Sequence, residues 1–162
     1  MDRAQLISAI QNHQQALFAI AFQYCGNRQD AEDVVQDVFL KLCKTDNAFR
    51  SDDHLRYWLI RVTINRCKDL LRNPFRKLRA GFEEAEAVLS APQEHDTEVF
   101  DAVMSLPLRY REVVMLYYFQ GYTAPQIGAL LHRKASSVQT QLMRARSLLK
   151  EKLKEVWNDD TQ

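Results

Sequence analysis

Apolar residues recur at helical spacing along almost the whole chain, and the period lapses only where Gly, Pro, Asn or Asp gather. Leu6, Ile10, Leu17, Ile20 and Ala21 mark the buried side of a first helix over 3–24, with Gly26-Asn27 as left-handed-tolerant residues to end it. A second helix is expected over 30–42, opening at Asp30, whose carboxylate suits the positive end of the helix dipole. Its Ala31, Val34, Val35, Val38 and Leu42 share one face, an ordinary core stripe. The opposite face carries Asp33, Gln36 and Asp37, with Leu40 seven, four and three positions on. An apolar anchor ringed by polar and acidic groups reads either as a docking face for a basic partner or as a solvated face with one exposed leucine.

A polar break at 44–53 precedes a third helix, expected over 54–72 and stopped by Pro74. Leu59, Ile60, Thr63, Cys67 and Leu70 form its apolar side. Arg61, Asn65, Lys68 and Arg72 fall on a separate line, with Trp58 and Asp69 alongside. Three cations, an amide and an aromatic suit phosphates, base edges and stacked bases. Trp58 itself either packs against the first helix or offers a stacking surface. Residues 75–95, basic and then acidic and broken by Gly81 and Pro92, read as a linker.

Beyond the linker the pattern is again helical. Asp96 or Thr97 is expected to cap a short helix ending at Leu106, and Pro107 to sit in the first turn of the next. LRYREVVMLYYFQ reads as a mostly buried helix closed by Gly121. Thr123-Ala-Pro-Gln126 is a capping box opening the short helix PQIGALL. HRKA is a tight turn, and Ser136-Ser-Val-Gln139 is expected to be a second capping box for a last helix running to about Val156. On that helix Val138, Leu142, Ala145 and Leu149 face inward, while Ser136, Thr140, Met143, Arg144 and Ser147 face outward with Gln139 and Arg146 at the flanks. Short helix, turn and long basic helix is the layout of a helix-turn-helix.

Composition fits an all-α protein of two small helical domains: 162 residues hold only four Gly and four Pro. The N-terminus lacks a signal-peptide layout, and no run of about 18 apolar residues suggests a membrane span. Cys25, Cys43 and Cys67 are odd in number and unpaired in spacing, so they read as buried thiols of a cytoplasmic protein. Charge sharpens the picture most. The net +1 conceals nine Lys/Arg against three Asp/Glu in 49–80, seven acidic and no basic residues in 81–101, and seven basic against one acidic in 133–154. Two basic blocks on separate bodies point to two polyanion-binding surfaces. With four scattered histidines, no Gly-rich phosphate loop and no metal-spaced ligands, no enzyme chemistry or cofactor is indicated.

DAEDVVQDVFLKL, FRSDDHLRYWLIRVTINRCKDLLR, LPLRYREVVMLYYFQGYTAPQIGALL and SSVQTQLMRARSLLKEKL, in that order, resemble the extracytoplasmic-function (ECF) sigma factors of bacteria over nearly the full length. The resemblance implies a region 2 over 1–74, a linker over 75–95 lying near the RNA exit path, and a region 4 over 96–162. It implies a sigma factor, not an enzyme, that lends promoter specificity to core RNA polymerase and helps melt DNA. Asp33, Gln36, Asp37 and Leu40 would contact the polymerase clamp helices. The segment from Phe49 to Arg56 would capture a flipped base of the −10 element, and Arg61, Asn65, Lys68 and Arg72 would hold that strand beside Trp58 and Asp69. Arg133, Lys134, Ser136, Ser137, Gln139, Thr140, Gln141, Arg144 and Arg146 would face the −35 duplex, on a domain that also meets the polymerase flap. Lys134, Gln139 and Gln141 stand where the family often has a Ser or Thr and two cations, and Arg133 replaces a usual aliphatic residue. An anti-sigma factor is a further partner implied by the family. The rival reading, a stand-alone helix-turn-helix regulator, accounts for 96–156 but for neither the 30–42 outer face nor the first basic line.

Overall fold

A computed structural model describes residues 1–46, 48–73 and 94–160, without the side chains of 94–97 and 155–160. The expected stop at Pro74 and most of the expected linker lie outside the described residues. The chain divides into two compact units, Met1–Leu89 and Ser90–Gln162. The described residues form helices and connecting segments with no strand.

The first unit holds α1 (Arg3–Cys25), α2 (Arg28–Lys44) and α3 (Asp52–Arg72). Their mutual core is Leu17, Ile20, Ala31, Val34, Leu42, Leu59, Ile60 and Ile64, each almost wholly buried. Burying each large aliphatic side chain contributes about 1.5–3 kcal/mol, so this unit is held by the stripes legible in the sequence. Local signals set the ends. Asp2 and Gln5 form a capping box on α1, and Gly26 ends it at φ 78. Asn27 departs from expectation: it is extended at φ −145 and caps α2, accepting from the Asp30 amide. Helix α2 therefore starts at Arg28, and Asp30 sits buried in its first turn, where its carboxylate accepts from the Asn27 side chain. Ser51 caps α3 two residues earlier than the expected start.

The second unit holds α4 (Glu94–Met104), α5 (Leu108–Val114) continuing into a π-helical turn (Met115–Phe119), α6 (Ala124–Leu131) and α7 (Ala135–Asp160). Val113, Met115, Leu116, Ile127, Leu130, Val138 and Ala145 make its core. Three local expectations change. Helix α4 begins at Glu94, so Asp96 and Thr97 stand inside it rather than at its cap. Pro107 is the N-cap residue of α5, its carbonyl accepting from Tyr110 and Arg111 amides. The second capping box does not form, because α7 begins at Ala135 and Ser136 lies within its first turn. The Lys134 carbonyl accepts from Val138 N, and the Ser136 carbonyl accepts from Thr140 Oγ1 at 3.0 Å. The first capping box is present at Thr123 and Gln126.

The turn between α6 and α7 is tight for a visible reason. A Cβ on Gly128 would lie 2.5 Å from the Arg133 carbonyl oxygen, so only glycine lets the turn fold back over α6. His132 closes α6 in the left-handed region at φ 57.

Candidate nucleic-acid interface

In the first unit the basic line is longer than its charges alone suggest. His54, Trp58, Arg61, Asn65, Lys68 and Arg72 follow one another every three or four residues along α3, spanning about 27 Å of helix at 1.5 Å per residue. Arg61, Asn65 and Arg72 are exposed, Trp58 and Lys68 half-buried. Arg72 reaches the Asp69 carboxylate at 3.8 Å, an exposed pair. Phe49 caps the line, its ring edge-on to His54 at 5.4 Å and to Trp58 at 5.6 Å between centroids. Trp58 thus packs against Phe49 while keeping part of its surface open. Arg56 is exposed but projects roughly half a turn away from this line, on the far side of α3.

Two further ties hold the start of α3. The Arg50 amide donates to His54 Nδ1 at 3.1 Å, and buried His13 of α1 meets Asp52 Oδ1 at 3.3 Å. Beside these lies a cavity of about 600 Å³ between the first turns of α1 and residues 48–55.

The outer face of α2 is as the spacing places it. Leu40 is 55% exposed, Gln36 is exposed, and Asp33 and Asp37 are half-buried. Asp37 accepts from Arg66 Nε of α3 at 2.9 Å, and Asp33 from the Gln29 amide at 3.4 Å. Arg66 was not among the expected residues; it neighbours Asn65 in sequence but points to α2, 29 positions back. Cys43 of α2 is exposed, whereas Cys25 and Cys67 are buried. The expectation of three buried thiols fails for Cys43 because it lies a third of a turn from core residue Leu42.

In the second unit, α7 presents Ser136, Ser137, Gln139, Thr140, Met143, Arg144 and Arg146, all exposed, with Lys134 exposed just before it. Arg133 and Gln141 are engaged differently. The Arg133 guanidinium pairs with the Glu112 carboxylate, which is only 2% exposed, and donates to Gln141 Oε1 at 3.0 Å. These two side chains fasten the turn to α5. A second cluster was missed in the sequence because its residues read as buried helix. The π-helical turn leaves Tyr117, Tyr118 and Phe119 exposed. Arg146 Nε donates to the Tyr118 hydroxyl, and its guanidinium lies over both tyrosine rings at 5.7 and 5.6 Å. The same contacts raise the Arg146 pKa, first through the hydrogen bond to Tyr118. Tyr110 is drawn the other way: a hydrogen bond from Arg144, then Arg109, lowers its pKa. Among the described residues no helix is long and apolar enough to cross a membrane, and no three His, Cys, Asp or Glu gather as metal ligands.

Residues 9–74 match the family model described as Sigma-70 region 2, and residues 97–149 match Sigma-70, region 4. The chain belongs to the ECF sigma factors. RNA polymerase sigma factor SigV of Bacillus subtilis is 28% identical over 151 residues, covering 91% of this chain and 90% of that protein. ECF RNA polymerase sigma factor SigM of Mycobacterium tuberculosis is 27% identical over 150 residues, covering 91% and 76%. Among solved structures, the sigma factor RpoE of Bartonella quintana, crystallised with the anti-sigma factor NepR, superposes with a TM-score of 0.68 at 20% identity, covering 93% of this chain and 97% of that one. CnrH, in complex with the cytosolic domain of CnrY, gives 0.67 at 23%, covering 95% and 90%. These two likenesses speak for the fold. Helices α1–α3 are then region 2 and α4–α7 region 4 of an alternative sigma factor for transcription initiation, with α6, the turn and α7 as its helix-turn-helix.

Proposed function

We propose that this sigma factor divides its contacts among three surfaces. Leu40, with Asp33, Gln36 and Asp37 around it, docks α2 on the clamp helices of core RNA polymerase. The line from His54 to Arg72, including Trp58, Arg61, Asn65 and Lys68, carries the non-template strand of the −10 element, with Phe49 at its head and Asp69 at its margin, while Arg56 on the far side of α3 stays off it. A half-open aromatic pair feeding a row of cations suits an unpaired strand, whose bases stack while its phosphates need counter-charge. That continuity of Phe49, Trp58 and the basic line is the observation that carries the reading.

At the −35 duplex, Ser136, Ser137, Gln139 and Thr140 face base edges, and Lys134, Arg144 and Arg146 phosphates. Arg133 and Gln141 support the same contact by fixing the turn. The protein works in the cytoplasm without catalytic residues of its own, and region 4 also meets the polymerase flap. An anti-sigma factor holds it inactive, as the complexes of its structural neighbours suggest. The deciding experiment compares Asn65→Ala with wild type in holoenzyme. Open complexes, read by permanganate reactivity of unpaired thymines, should fall several-fold while −35 duplex binding holds; equal loss of both would remove Asn65 from the −10 strand.

A further inference from the structure

Two cations of α7 are held by tyrosines rather than by carboxylates. Arg146 Nε donates to the Tyr118 hydroxyl, and the guanidinium lies 5.6 Å from the centre of the Tyr118 ring and 5.7 Å from that of Tyr117. The two rings meet edge-on at 4.9 Å between centroids, so each steadies the other. Two residues earlier on α7, Arg144 hydrogen-bonds to Tyr110 of α5. Arg133, at the turn, is a different case, because its partner is the buried Glu112 carboxylate, which offsets its charge. A phenol orients a guanidinium without neutralising it, since tyrosine is uncharged near neutral pH. Arg144 and Arg146 thus keep their charge for an outside anion while being held in place.

The π-helical turn is what brings Tyr117 and Tyr118 to Arg146. The Gln120 amide reaches back five residues to the Met115 carbonyl at 3.2 Å, so this turn carries one residue more than an α-helical turn. Met115 and Leu116 stay buried, and the two tyrosines that follow are turned outward. Gln139 and Met143, two turns and one turn before Arg146, border the same cavity of about 570 Å³ as Tyr117 and Arg146. The held guanidinium therefore shares a side of α7 with Gln139, proposed to face base edges.

We propose that Tyr118, steadied by Tyr117, is a positioning residue for the −35 contact, fixing the Arg146 guanidinium so that its two terminal nitrogens donate to one phosphate of the duplex. With Nε engaged, N–H groups remain on both terminal nitrogens, a fork that matches two phosphate oxygens. Holding the side chain before the duplex arrives removes part of the ordering cost that a long, free arginine incurs on binding. This rests on the proposed phosphate contact of Arg146 and adds to it a support from a helix outside the helix-turn-helix.

The test measures holoenzyme binding to a −35 duplex lacking the −10 element, across a range of salt, for Tyr118→Phe, Arg146→Ala and the two combined. Tyr118→Phe keeps the ring and removes the hydroxyl, and should weaken binding about fivefold. Arg146→Ala should weaken binding and lower the slope of log K against log salt by about 0.9. Adding Tyr118→Phe to Arg146→Ala should change affinity by less than twofold, because the group it positions is gone. Tyr118 is 52% exposed, so thermal melting of Tyr118→Phe should match wild type. If Tyr118→Phe binds as wild type while Arg146→Ala weakens binding and lowers the slope, the positioning role is refuted and the phosphate contact stands. A loss from Tyr118→Phe that is equal with and without Arg146 also refutes it, since the hydroxyl then acts elsewhere. If Arg146→Ala alters neither affinity nor slope, the phosphate contact itself is overturned, and this inference falls with it.

Discussion

Leu40 is the side chain on α2 with the least structural reason to be apolar. It is more than half exposed at the centre of a polar face, while the core stripe of the same helix is complete without it. Leu40→Arg should therefore leave the melting temperature unchanged and weaken core-polymerase binding at least tenfold in a titration; unchanged affinity would return α2 to the status of a solvated helix. Asp37 is a poorer probe of the same face, because it already holds Arg66. That pair is partly exposed and contributes under about 1 kcal/mol. Arg144→Ala should weaken −35 duplex binding and lower the slope of log K against log salt by about 0.9, one phosphate contact. A slope equal to wild type would take Arg144 off the phosphates, and leave it the neighbour of Tyr110.

At the scale of elements, the turn of the helix-turn-helix makes the sharpest predictions. Arg133→Met removes the guanidinium that pairs with the buried Glu112 carboxylate, a change expected to cost about 3–5 kcal/mol. Glu112→Leu combined with Arg133→Met should recover most of that loss in the same denaturant titration, because the buried charge is gone. A double variant as unstable as the single one would show that the pair shapes the turn in some other way. Gly128→Ala should unfold or loosen region 4, since its methyl would meet the Arg133 carbonyl. Overpacking of that kind costs about 1–3 kcal/mol or more.

Elements also show what the chain discloses by itself. The first three helices were legible because their stripes repeat over many turns, and Thr123 with Gln126 because a capping box is local. Ser136 with Gln139 has the same spelling, but the helix begins one residue before it, and only the fold of the turn over Gly128 decides that. The π-helical turn left no period to read, so Tyr117, Tyr118 and Phe119 passed for core. Arg66–Asp37 and Arg133–Glu112 join residues 29 and 21 positions apart, a distance over which side-chain spacing says nothing. The site was legible as lines on single helices; its cross-helix fastenings were not.

For the molecule as a whole, the distribution of charge matters more than its sum. A net +1 gives no general attraction to nucleic acid, but two basic segments on two units give two separate footholds. Among the described residues each unit offers one short basic surface, so each alone should bind DNA weakly and with strong salt dependence. Joined through core polymerase, the two contacts act on one promoter, and the second becomes effectively intramolecular. Promoter binding should therefore depend on the polymerase. The direct measurement is run-off transcription on a promoter library, with footprinting of the selected promoters by this protein with and without core polymerase. Transcripts are expected from promoters sharing a −10 and a −35 motif, with protection only when core polymerase is present. Specific protection of promoters by the protein alone, with no stimulation of transcription, would contradict it.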